Sequence, residues 1–119
     1  MKNEIINIII NFNSNKIDSN EILENLLPNY NGRNFHLLKN NEIILEGNMI
    51  NISEYPENKI NKELNFKLSI DYDIKKLDFD LWLMSLQDKT QNYCINKLGG
   101  KINKINIIHN GVSICIVNL

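Results

Sequence analysis

Alanine is missing from this sequence altogether, and Arg33 is its only arginine. Asparagine, isoleucine and lysine are abundant in their place. The codons of these three are AT-rich, which identifies mutational bias in an AT-rich genome as the source of the composition. That bias discounts two ordinary signals: asparagine as a mark of turns and isoleucine as a mark of strands. A single guanidinium leaves little capacity for bidentate contacts to bases or phosphates. The formal net charge of −1 also lacks the positive excess that neutralises a phosphate backbone. No nucleic-acid partner is expected, and Lys97, Lys101 and Lys104 read as a solvated helix end. Cysteine is scarce as well. Cys94 and Cys115 form neither a CxxC pair nor a disulfide framework, which fits free thiols in a reducing, cytoplasmic compartment. No run approaches the roughly 20 apolar residues that span a bilayer, so no membrane association is expected. The apolar stretch Ile5–Ile10 is broken by Asn7 and edged by Glu4, unlike a secretory signal.

What is present suits a globular chain. At 119 residues, with 43% hydrophobic and 23% charged side chains, residues 1–119 are expected to form a single domain around one core. Residues 3–13 fit two periods. Ile6, Ile8, Ile10 and Phe12 alternate as in a strand, while Ile5, Ile9 and Phe12 make a helical stripe. The helical reading is slightly preferred, because residues 13–16 resemble a connector between helices. Residues 19–27 read as a helix capped by Ser19, with Ile22, Leu23, Leu26 and Leu27 as its apolar stripe and Pro28 as its stop. Phe35–Leu38 and Glu42–Leu45 flank Lys39-Asn40-Asn41 as a hairpin. Gly47-Asn48 offers another turn before a strand over Met49–Ser53, and Pro56-Glu57-Asn58 marks a loop. Leu64–Ile74 alternates cleanly, with Leu64, Phe66, Leu68, Ile70 and Tyr72 on one face. Asp78 or Asp80 then caps a helix over 79–98 that Gly99-Gly100 ends. Ile102–Ile108 and Val112–Val117 flank His109-Asn110-Gly111, and Asn-Gly is a strong hairpin signal. The order predicts an α+β fold: a mainly antiparallel sheet with helices packed on one face.

No catalytic pattern stands out. His36 and His109 are the only histidines, and their spacing matches no zinc site. Cys94 and His109 are a nucleophile and a base by type, but no local motif joins them. No serine has a G-x-S-x-G setting, and Gly99-Gly100 follows a helix where a phosphate loop would open one. Neither a metal nor any other cofactor is expected. The most distinctive charged feature is acidic. Asp71 and Asp73 share one face of a strand, and Asp78 and Asp80 follow at a helix start. The plain reading is a solvated strand face followed by a helix cap. Among functional readings, docking onto a basic surface comes first, because it needs only negative potential, whereas a cation site or an acid–base pair needs convergent geometry. Trp82, Tyr93, Tyr30 and Tyr55 are candidate interface anchors or edge-of-core packing.

A small, slightly acidic domain without catalytic motifs points to binding in preference to catalysis. The expected function is a protein-binding inhibitor whose contact residues are Asp71, Asp73, Asp78, Asp80 and Trp82. Bacterial immunity proteins share this format of size and charge, blocking a toxin domain delivered by a neighbouring cell, although no residue motif carries that likeness. The expected partner is thus a protein, such as a basic toxin domain. The alternatives are a phage or accessory inhibitor of a host protein and a small ligand-binding or enzymatic domain. A pocket joining His36 or His109 to acidic residues would favour the last of these.

Overall fold

The computed structural model describes residues 1–14, 17–56 and 61–118, with the side chains of all but 55 and 56 among them. The elements run β1 (Lys2–Phe12), α1 (Ser19–Leu26), β2 (Asn34–Lys39), β3 (Glu42–Pro56), β4 (Lys62–Tyr72), α2 (Phe79–Tyr93), β5 (Ile102–His109) and β6 (Val112–Asn118). The six strands form one sheet in the order β2-β3-β4-β1-β5-β6, and every neighbouring pair is antiparallel. β4 and β5 both run opposite to β1, so α2 links two like-directed strands across the strand between them. This is the expected α+β architecture.

The first strand departs from the helical preference. Residues 2–12 form β1, which lies in the middle of the sheet between β4 and β5. Glu4, Ile6, Ile8, Ile10 and Phe12 are buried, while the residues between them are half-buried on the opposite face. β1 pairs with β4 along its whole length and with β5 from Ile6 onward, which engages most of its backbone and buries these five side chains on the helix side. An isolated helical stripe has no such support, so tertiary pairing decides between the two periods. On the same face lie Leu64, Phe66, Leu68, Ile70 and Tyr72 of β4 and Ile105 and Ile107 of β5. Ile22, Leu23, Leu26 and Leu27 from the α1 region, and Phe79, Leu83 and Leu86 of α2, complete one hydrophobic cluster with them. Both helices therefore cover the same face of the sheet.

Several boundaries differ from expectation, among them the strand expected over Leu64–Ile74, which runs over Lys62–Tyr72 and so leaves Asp73 outside it. Asp18, not Ser19, caps α1, its carboxylate accepting from the N–H groups of Asn20 at 3.0 Å and Glu21 at 3.3 Å. β3 runs unbroken through Gly47, which is not a turn. Gly47 faces Phe35 across the β2–β3 pair, and the Phe35 ring occupies the space that a Cβ would fill. The missing side chain is what seats that ring. Pro56 closes β3, while Glu57 and Asn58 of the expected loop lie outside the described residues. The second helix reaches its expected end in stages: Asp78 caps its start through Leu81 N–H at 3.3 Å, Cys94–Leu98 form a wider π turn, and Gly99 takes φ +54°. Both expected hairpins form. Asn40 and Asn41 in one, and Asn110 and Gly111 in the other, adopt the positive φ that two-residue turns require.

Candidate functional site

The acidic residues come from two faces. Asp71 alternates with the buried Ile70 and Tyr72, so it lies on the sheet face opposite the helices, where Asn3 Nδ2 donates to it at 2.9 Å. Asp73 follows the end of β4 and accepts from Lys75 N–H at 2.9 Å, shaping the loop into α2. Asp78 is the helix cap, and Asp80 is exposed in the first turn. The structure thus groups Asp73, Asp78 and Asp80 at the start of α2 and sets Asp71 apart behind the sheet. Lys2, Lys75 and Lys76 are interspersed with them, and Lys76 is held by Glu42.

The wet side of α2 carries a feature that the sequence analysis did not single out. Leu83, Leu86 and Thr90 point inward with Phe79, and the exposed side carries Asp80, Leu81, Met84 and Asp88 together with Ser85, Lys89 and Asn92. Leu81 is 63% exposed and Met84 58%. Three-residue spacing places this pair side by side, and Asp80 and Asp88 stand four residues before and after Met84. Ile74, 64% exposed, lies in the loop leading to the helix. Trp82 is half-buried and packs on the core beside Phe79, with ring centroids 5.7 Å apart. It braces the helix more than it presents an anchor. Tyr30 and Tyr93 also pack against the core, and the Tyr55 side chain lies outside those described.

Beneath the start of α2 sits a polar cluster in the core face. Glu4 is only 5% exposed. Its carboxylate takes hydrogen bonds from Asn110 Nδ2 at 2.6 Å, His109 Nε2 at 2.9 Å and Tyr72 OH at 3.3 Å, with Lys2 Nζ at 3.7 Å. Because a carboxylate only accepts, His109 holds its proton on Nε2. Burial pushes the Glu4 pKa upward, but the hydrogen bonds from His109 and Asn110 and the field of His109 outweigh it, so the carboxyl lies below its ordinary value. Burial, with the adjacent Glu4 charge, raises the Tyr72 phenol. Phe79 roofs the cluster, stacked on Tyr72 at 4.7 Å and tilted against His109 at 5.5 Å. Asn110 does more than turn the chain. Its Oδ1 accepts from Ile5 N–H and its own N–H donates to Ile5 O, both at 2.8 Å, so the β5–β6 turn clamps the start of β1. An open groove of about 620 Å³ adjoins the cluster, lined by Lys2, Glu4, Tyr72, Lys75, Asp78 and Asp80 among others.

The remaining candidates stay apart. His36 lies opposite Glu46, which is itself aligned with Asp71, and so falls on the far face of the sheet from His109. Cys94 is buried at the end of α2, whereas His109 packs at its beginning. The fifteen steps from Phe79 to Cys94 span about 22 Å of helix. Burial also pushes the Cys94 thiol up to about 12. Among the described residues no group of three or more His, Cys, Asp or Glu side chains could hold a metal ion, and no helix is long and apolar enough to cross a membrane. In comparison with known proteins, the chain matches no family model, no curated protein and no solved structure.

Proposed function

We propose that this chain is a small protein-binding inhibitor of the immunity-protein format, which meets its partner through the exposed side of α2 and covers that partner's active cleft. The observation that carries this reading is the pair Leu81 and Met84, held in solvent and bracketed by Asp80 and Asp88. An apolar centre with a charged rim is the usual anatomy of a protein interface. Asp73 and Asp78 extend the acidic rim toward the sheet, which suits a basic partner by charge. Co-expression with the product of the adjacent upstream gene, followed by purification through a tag on this chain, tests the reading. A one-to-one complex that dissociates when Leu81 and Met84 are changed to Lys supports it. A complex indifferent to those changes overturns the assigned surface.

A specific observation favours a second reading, a ligand-binding or enzymatic domain. Glu4 and Tyr72 form part of the wall of the groove, and Glu4 is hydrogen-bonded to His109. Soaking or titration with small charged metabolites, monitored at the His109 ring by NMR, would detect an occupant. A ring signal unmoved by all of them removes the support for this reading.

A further inference from the structure

The two edges of the sheet are treated differently. At β2 the outward backbone is already engaged. His36 N–H donates to Pro28 O at 3.1 Å, His36 O accepts from Asn29 Nδ2 at 3.1 Å, and Asn34 O accepts from Asn31 N–H at 3.0 Å. The segment after α1 therefore plugs that edge, and Arg33 and Lys39 flank it with charge. At β6 no other segment covers the outer backbone, among the described residues. β6 is also the one strand of the six with no charged residue, and it has no proline. Val112, Ile114 and Ile116 are 64%, 37% and 56% exposed along it. Proteins ordinarily blunt such an edge with lysine, proline or a covering segment. The only blunting device here is a bulge at Ile114, beyond which Cys115–Asn118 keep regular register with β5.

We propose that β6 is a self-association edge, pairing antiparallel with β6 of a second copy of this chain. An unpaired ladder of N–H and C=O groups is satisfied only by another strand, which specifies the occupant as an extended backbone. An antiparallel pair about a two-fold axis is self-complementary, and an uncharged strand sets no like charges opposite each other when it meets its own copy. Because the β2 edge is plugged, association stops at two copies and yields a closed dimer with a continuous twelve-stranded sheet.

The test is the molar mass of the purified protein by light scattering over a dilution series, with Ile116→Lys and Ile116→Glu forms beside it. Ile116 is an exposed position, so either change leaves the core intact, and circular dichroism confirms the fold. The wild type is expected at twice the 13.9 kDa chain mass, each variant alone at the single mass, and an equimolar mixture of the two again at twice the mass. Hydrogen exchange is expected to show β6 amides protected in the wild type and released in the single variants. A wild type of single mass at every concentration overturns the proposal, as does a dimer that persists in the Ile116→Lys form with unchanged β6 protection. Neither result bears on the α2 surface, whose own test is loss of partner binding.

Discussion

Glu4 is the residue on which the polar cluster turns. Its carboxylate is held below its ordinary pKa, so the folded state binds its proton less readily than the unfolded chain does. The stability it contributes is present above the unfolded carboxyl value and is lost as pH falls through the folded one. Replacing Glu4 by Gln is expected to cost about 1.5–3 kcal/mol near neutral pH, the range for hydrogen bonds to a charged group. Urea unfolding of both proteins is expected to show the gap closing as the acid range is entered, and a gap independent of pH would contradict the assignment. Glu4 was legible in principle: once residues 3–13 are read as a strand, the alternation that buries Ile6, Ile8, Ile10 and Phe12 buries Glu4 too. The partners His109 and Asn110 were not, because they come from the other end of the chain and only sheet order brings them there. Cys94 supplies a second prediction at this scale. Burial and a thiol pKa pushed up to about 12 leave little thiolate. A thiol reagent is therefore expected to modify Cys94 only after denaturant is added. Rapid labelling of Cys94 in the native protein would contradict its placement in the core.

At the scale of elements, the hairpins were legible, the caps only in part, since Asp18 took the place expected of Ser19, and strand continuity was not. Asn110-Gly111 and Asn40-Asn41 form their turns because the left-handed conformation is accessible to Asn and Gly, whatever the genomic bias toward asparagine. Gly47 misled for a physical reason: glycine serves both turns and close approaches, and only the ring across the strand pair distinguishes them. Gly47→Ala is expected to destabilise the fold by about 1–3 kcal/mol through overpacking against Phe35. In a double-mutant cycle Phe35→Leu should recover part of that loss, and strictly additive effects would show that the ring is not what the glycine accommodates. The cap is a simpler case. Asp78→Ala should cost about 1 kcal/mol in thermal or urea unfolding, and no measurable change would place the helix start elsewhere.

For the molecule as a whole, the arrangement of surfaces is what its sequence concealed. The acidic residues 71, 73, 78 and 80 are close in the chain, yet a sheet intervenes between Asp71 and the start of α2. Leu81 and Met84 drew no notice because an exposed leucine on a helix is unremarkable until its neighbours are known. Only the packed structure shows them side by side between two carboxylates, with Trp82 turned toward the core. The cleanest discriminator is the affinity of the purified chain for its co-purified partner, measured for the wild type, for Leu81→Lys with Met84→Lys, and for Asp71→Lys. The α2 changes are expected to weaken binding by about 30-fold or more, the effect of losing about 2 kcal/mol at an interface centre. Asp71→Lys is expected to leave affinity nearly unchanged. Full affinity in the α2 variant, or a loss confined to Asp71→Lys, would contradict the assigned surface.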